Sequence, residues 1–290
     1  MGSPAAYLKL ARPKQWSKNV LVAAAPGAAG ILRHGDSLAR TGVAFGALCL
    51  AASGTYAWND LLDVEADRVH PTKCRRPIAS GQISQRGAGI FGSVLLACSI
   101  AVGFLLNAHL GITVVAYVVL TLAYSTRLKH EPVLDLVAVA AGFVLRTIAG
   151  ATATEVKIST WFLIVAGAGS LFIVTGKRTA EVKLLGEGAA SHRRALSSYT
   201  ESYLLFVRAV SATVAILGYC LWAFQVPRHV GDPVWFEMSI VPFVICLLRY
   251  ALLLDQGEGG APEDLLLSDR VLLIVGLLWV AAFGGAVYFA

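Results

Sequence analysis

Charge is what this sequence has least of. Only 14% of its 290 residues are Asp, Glu, Lys or Arg, 57% are hydrophobic, and the mean hydropathy is +0.68. A soluble domain cannot hide that much apolar surface, so the solvent for most of the chain is lipid. Period-two alternation is missing too, and with it the case for a closed β-barrel. The apolar runs are long and continuous, which leaves α-helices to satisfy the backbone in a bilayer. The five cysteines (Cys49, Cys74, Cys98, Cys220, Cys246) include no C-x-x-C pair, and the six histidines show no metal-ligand spacing. Four of the cysteines lie in apolar runs and read as small hydrophobes. "VLVAAAPGAAG" mimics a leader cleavage site, but the apolar stretch before it is too short, so it reads as the first membrane helix. "MGSPAA" lacks the Ser or Thr that myristoylation favours at position 6. Nucleic acid is not an expected partner.

What is there is a series of nine apolar spans, near 17–32, 38–58, 88–106, 110–124, 133–153, 160–176, 202–224, 234–254 and 270–289, in one domain over 1–290. The first and fourth are short, and Pro26 can kink the first. Alternate connections fall on alternate sides. One side takes the N-terminus and the loops near 59–87, 125–132, 177–201 and 255–269. It carries seventeen Lys and Arg against four on the other side, so it is expected to be cytoplasmic in a plasma-membrane protein. Fourteen of the eighteen acidic residues crowd the same side, which the positive-inside rule does not explain. A polar site there does.

The densest polar block is "WNDLLDVEADRVHPTKCRRP", Trp58–Pro77. Asn59, Asp63 and Asp67 fall at i, i+4, i+8. On a helix continuing from the second span they share one face within an arc of roughly 80°. Asp60 lies beside that face and Glu65 points away. Like-charged carboxylates this close are stable together when they bind a hard cation. Mg²⁺, with Mn²⁺ as a substitute, takes one or two carboxylates plus waters and phosphate oxygens. A solvated helix end is the bland alternative. Arg68, Lys73, Arg75 and Arg76 follow directly and suit phosphate oxygens, although a topology signal alone would also place cations here. Carboxylates and cations together point to a Mg²⁺–diphosphate substrate.

Other candidates sit on the same side. "YSTRLKHEPVLD" supplies Tyr124, Lys129 and Asp135. Arg146, eleven residues beyond Asp135 and so about three turns along, shares its face. An arginine inside a membrane helix is a functional candidate by default, with a structural ion pair as its alternative. "TGKRTAEVKLLGEG" gives Lys177, Arg178, Glu181 and Lys183 on a helical extension ended by Gly186 and Gly188; an exposed salt-bridged helix is the competing reading. "RPKQWSKN" sets Lys18 and Asn19 at the entrance of the first span, with Trp16 as an interfacial anchor. Asp255, Glu263, Asp264 and Asp269 frame a Gly-rich loop able to close over a site, or simply to be solvated.

Nine helices with Asn59-Asp60-x-x-Asp63-x-x-x-Asp67 after the second, together with "YSTRLK", resemble the UbiA-type membrane prenyltransferase superfamily over essentially the whole chain. The resemblance implies an all-α polytopic bundle with a cavity at its cytoplasmic end that holds Mg²⁺–diphosphate. Superfamily members ordinarily carry a second Asp-rich motif after the sixth helix. Here "TGKRTAEVK" stands in that place, with Glu181 as its one acid. The site has lost a metal anchor and gained cations. "RPKQWSKN", "HEPVLD", "GFVLRTIAG", "GKRTAE" and "SSYTESYL" are similar to the branch that makes decaprenyl-phosphoryl-phosphoribose for cell-wall arabinan. That resemblance implies phosphoribosyl diphosphate as donor and decaprenyl phosphate as acceptor.

On that reading Asn59, Asp63 and Asp67, assisted by Asp60, hold the metal, and Asp63, Asp67, Lys129 and Arg146 are the catalytic set. Lys177 and Arg178 are expected on the ribose 5-phosphate. Tyr124, Lys129 and Arg146 orient the donor or acceptor phosphate, and Lys18 and Asn19 meet the lipid phosphate. Two alternatives stay open. One is an ordinary prenyltransferase acting on an aromatic or quinone precursor, which the missing second motif opposes. The other is an organic-anion transporter, which lacks a clear inverted repeat here. Monomer and homo-oligomer both remain open.

Overall fold

The computed structural model describes residues 2–185, 198–225, 233–258, 265 and 268–289, and among these there is no strand. Gly186, Gly188, Glu263 and Asp264 lie outside the described residues. The described helices are α1 (Pro4–Ala11), α2 (Ala24–Ala28), α3 (Gly35–Leu62), α4 (Val64–Val69), α5 (Gln85–Leu106), α6 (Ala108–Thr126), α7 (Leu134–Thr154), α8 (Thr160–Leu185), α9 (Glu201–Gln225), α10 (Pro233–Asp255) and α11 (Arg270–Tyr288). Eight of them, α3 and α5 to α11, are long and apolar enough to cross a membrane.

The first expected span takes another form. Residues 17–32 do not make a long α-helix. Pro13–Ala23 form an eleven-residue 3-10 run that passes into the short α2. Such runs rarely exceed four residues, and at a rise of ~2.0 Å per residue this one covers ~22 Å. The tighter winding lets a short apolar segment reach further than an α-helix of equal length. It is held by a close approach: a Cβ added at Gly150 of α7 would lie 1.7 Å from the carbonyl oxygen of Val22.

The chain divides into two compact units, residues 1–128 with 145–157, and 129–144 with 158–290. Helix α7 therefore gives its first half to the second unit and its second half to the first. In the first unit α3 is the centre. The buried run Ala47, Leu48, Ala51, Ala52, Ser53, Gly54 and Ala57 is almost all small. Small residues let membrane helices approach closely and pack by dispersion alone. Gly54 of α3 sits so near α5 that a Cβ would come within 2.8 Å of Leu96 and 2.9 Å of the Gly92 carbonyl. The α5–α6 turn is a single extended residue, Asn107, whose side chain accepts from the Leu110 N–H and donates to the Thr152 carbonyl. That capping closes two helix ends with one residue.

In the second unit α8 and α9 run against each other, with Gly218 facing Ile164 and Val165. Gly176 of α8 meets Leu254 of α10, and Phe172 packs on Tyr250. Arg249 of α10 reaches Asp269, which also caps α11 through the Leu272 N–H. Those bonds hold the Asp269 carboxyl below its usual range, Arg249 contributing most. Asp269 is thus occupied as a helix cap and ion-pair partner, not held ready to close over a site.

Candidate active site

The acidic block ends α3 and forms α4. The expected continuous helix is interrupted at Asp63, the C-cap of α3. The i, i+4 ladder nevertheless survives: the Asp63 N–H donates to the Asn59 carbonyl at 3.0 Å and the Asp67 N–H to the Asp63 carbonyl at 2.8 Å. The one-sided spacing is kept across the break.

The side chains are not equivalent. Asp60 and Asp67 are 1% and 3% exposed, whereas Asp63 is only half-buried. Arg12 donates to both oxygens of Asp60, at 2.5 and 2.8 Å. Arg76 bridges Asp60 and Asp67 from one nitrogen, at 3.0 and 2.7 Å. Two shut carboxylates are therefore matched by two arginines. Asp63 stands beside Asn59, whose amide donates to it at 3.2 Å.

Arg12 counted in the sequence only as one more basic residue. Its backbone is left-handed, φ 54°, directly before Pro13. That conformation is strained for a non-glycine residue and is disfavoured before proline. The Asp60 pair and stacking on Tyr56, 5.0 Å from the ring centre, hold it there. The "ARP" triplet was a faint signal of a special turn, but nothing local linked residue 12 to residue 60.

The other expected cations of this block have different surroundings. Arg68 is exposed and pairs with Glu65 at 2.7 Å, and Arg75 is exposed with its carbonyl accepting from Lys9. Lys73 is half-buried. This contrast gives a prediction. Arg76→Met strips Asp67 of its arginine and leaves Asp60 with one, which should cost about 3–5 kcal/mol. Arg68→Met removes only a surface pair and should cost less than about 1 kcal/mol. Thermal unfolding of both variants in detergent checks it.

Deeper in the first unit, Arg146 is buried and donates to Asn19 at 2.9 Å and Tyr117 at 2.8 Å. Asn19, fully buried, passes its own N–H to the Cys49 sulfur at 3.3 Å. Cys49, read as a small hydrophobe, is an acceptor, and Tyr117 was not singled out at all. Lys18 bonds Gln15, and Trp16 bonds Ser53. Asp135 and Arg146, expected to act together on one helix face, have separate partners. In the second unit Asp135, fully buried, takes Arg178 at 2.9 Å and the Tyr199 hydroxyl. Arg178 also pairs with Glu181 at 2.7 Å. Arg178, expected on a phosphate, is here engaged by two carboxylates. Burial, and then the Asp135 hydrogen bond, push the Tyr199 hydroxyl well above its ordinary range, so it stays a donor. Lys183 donates to the Asp255 carbonyl, while Tyr124, Lys129 and Lys177 are half-buried.

The donor set also bears on a metal. Among the described residues no three His, Cys, Asp or Glu form a complete metal cage. A Mg²⁺ arriving with a diphosphate does not need one, because it keeps waters and phosphate oxygens and takes one or two carboxylates. Asn59 and Asp63, with Asp67 one turn on, fit that kind of ion. Asp60 has both oxygens engaged by arginine, whereas Asp67 gives only one oxygen to Arg76, so Asp60 is the less suited of the two.

Residues 20–270 match the UbiA prenyltransferase family. The chain belongs to this family. Among UbiA relatives it is 44% identical to a decaprenyl-phosphate phosphoribosyltransferase of Mycolicibacterium smegmatis, covering 98% of this chain and 92% of that one. It is 45% identical to a protein of the same name from Mycobacterium tuberculosis, over 98% and 95%. A solved UbiA homologue from Archaeoglobus fulgidus, bound to GPP and Mg²⁺, superposes with a TM-score of 0.73 at 17% identity, covering 98% of this chain and all of the other. That likeness shows the fold. A UbiA member with eight apolar spanning helices is an integral, multi-pass membrane protein.

Proposed function

We propose that this UbiA-family chain transfers 5-phosphoribose from phosphoribosyl diphosphate to a polyprenyl phosphate such as decaprenyl phosphate, releasing diphosphate. The observation that carries the reading is near full-length identity of 44–45% to proteins that bear that name. The site chemistry supports it. Where an ordinary member has a second acidic motif, Lys177, Arg178 and Lys183 stand. More cations and fewer carboxylates suit a substrate pair with more phosphate to hold.

Asn59, Asp63 and Asp67 would hold Mg²⁺, which when bound neutralises charge on the departing diphosphate. Arg12 and Arg76 hold Asp60, on α3, and Asp67, on α4, in place. Such preorganised charges stabilise developing charge without reorienting during the reaction. As the C1–O bond breaks, positive charge grows on the ribose ring, as in other glycosyl transfers. The acceptor phosphate is already an anion, so no strong general base is required. Arg146, through Asn19, steadies the 3-10 run that carries Lys18 toward the lipid phosphate. Tyr124 and Lys129 orient a phosphate group. The chain acts as one functional domain, with its N-terminus and metal-binding face on the cytoplasmic side, as the bias of basic residues favours.

The test is diphosphate release by the purified chain with Mg²⁺, phosphoribosyl diphosphate and decaprenyl phosphate, each omitted in turn, with lipid product followed by mass. Release that needs both substrates and adds a pentose phosphate to the lipid is the expected result. Turnover of a prenyl diphosphate with an aromatic acceptor, and none with these substrates, overturns the assignment.

A further inference from the structure

Among the described residues, two buried arginines are well supplied. Arg146 has Asn19 and Tyr117, and Arg178 has Asp135 and Glu181. Arg208, on α9, is different. It is 5% exposed, and its Nη1 is buried with no hydrogen-bond partner among the described residues. The carboxylate beside it, Asp255, lies 3.7 Å from Nη2 and its own side chain is 72% exposed. That separation is too long for a hydrogen bond. A guanidinium keeps its charge inside proteins, and a buried unsatisfied donor on a charged group is expensive. Such a donor in a membrane helix calls for a ligand.

The surroundings indicate the ligand's sign. Gly218 of α9 faces Ile164 and Val165 of α8. The two helices are antiparallel, so ten residues along that contact Arg208 comes level with residues 174 and 175. Gly176 against Leu254 brings the end of α10, with Asp255, to the same level. Lys177 follows two residues further along α8, half-buried and with no hydrogen bond or ion pair among the described residues. One shut arginine and a nearby lysine on the facing helix, with the solvated Asp255 as the arginine's one ion-pair partner among the described residues, suit a compact dianion. Arginine presents a fork and lysine a point charge to phosphate oxygens.

We propose that Arg208, with Lys177, forms a binding site for a phosphomonoester group carried by a substrate. This rests on the phosphoribosyl transfer reading for its physiological ligand. Two sources share the chemistry: the 5-phosphate of phosphoribosyl diphosphate and the phosphate of the polyprenyl acceptor. Arg208 thus adds a residue of α9 to Lys177, which the sequence reading placed on the ribose 5-phosphate.

The experiment compares the full chain with Arg208→Met and Arg208→Lys in detergent. Thermal stability is measured without ligand and with inorganic phosphate, ribose 5-phosphate, phosphoribosyl diphosphate and decaprenyl phosphate; KM and kcat are measured for both substrates. A ligand that binds the folded state raises its melting temperature. Arg208→Met should unfold no earlier than wild type without ligand, because it removes a buried charge whose Nη1 has no hydrogen-bond partner and whose ion-pair neighbour, Asp255, is solvated. It should lose the stabilisation by phosphate and raise one KM at least tenfold, kcat changing less, with partial recovery in Arg208→Lys. Loss confined to ribose 5-phosphate and phosphoribosyl diphosphate assigns the donor; loss confined to decaprenyl phosphate assigns the acceptor; either supports the site. Wild type stabilised by inorganic phosphate through Arg208, yet inactive on phosphoribosyl diphosphate, keeps the site and overturns the substrate reading. Earlier unfolding of Arg208→Met with every ligand response intact makes Arg208 a structural residue and overturns the proposal.

Discussion

Asp63→Ala is expected to lower kcat/KM roughly 10²–10³-fold at saturating Mg²⁺, the range seen when one preorganised electrostatic group is removed from a transition state. The reason lies in the unequal fates of three carboxylates. Asp60 and Asp67 are shut away against Arg12 and Arg76, while Asp63 is half-buried beside Asn59. Asp63 is therefore the most accessible of the three and the one that an incoming Mg²⁺–diphosphate meets first. Its loss should leave the fold intact, because neither arginine relies on it in the bonds that hold the other two. Asp60→Asn should behave in the opposite way. It weakens the grip on Arg12 and lowers melting temperature before it touches metal affinity. Full activity of Asp63→Ala at saturating Mg²⁺ would remove Asp63 from the site.

Gly150→Ala is the second large effect, and it is structural. A methyl group there would lie 1.7 Å from the Val22 carbonyl oxygen and 2.7 Å from the carbonyl carbon. The obstacle is backbone, not the tip of a flexible side chain, so α7 and the 3-10 run must separate. Overpacking a core typically costs 1–3 kcal/mol, and a backbone clash this close should reach about 3 kcal/mol or more. Separation also pulls Asn19 away from Arg146, so activity should fall with stability. Gly46→Ala in α3 is the control. Nothing lies within 4 Å of its added methyl group, and the change should stay within about 1 kcal/mol of wild type. Equal melting temperatures for the two variants would mean that the 3-10 run does not pack on Gly150 as described.

The carboxylate face illustrates what sequence spacing can deliver. Asn59, Asp63 and Asp67 at i, i+4, i+8 needed only helical geometry to be placed together, and the ladder of backbone bonds keeps that spacing across the break at Asp63. Which of the acids would be paired was not legible. Arg12 lies 48 residues before Asp60 in the chain, and Arg178 lies 43 after Asp135. No periodicity connects such positions. The first span was misjudged for a related reason. Its composition is that of an ordinary short apolar helix, and the contact that accompanies its 3-10 winding comes from Gly150, on another helix.

The sequence by itself determined the solvent, the helical class, the positions of eight spanning helices and the one-sided clustering of charge. Those follow from local composition and from the backbone's need to satisfy its own hydrogen bonds in lipid. Tertiary structure alone decided the pairing of buried charges: Asp60 and Asp67 closed by Arg12 and Arg76, Arg178 neutralised by Asp135 and Glu181, and Arg208 left with an unfilled donor. Pairing depends on which helices pack and at what level. A few ångströms separate a hydrogen-bonded ion pair from a guanidinium nitrogen left without a partner, and linear spacing does not encode that distance.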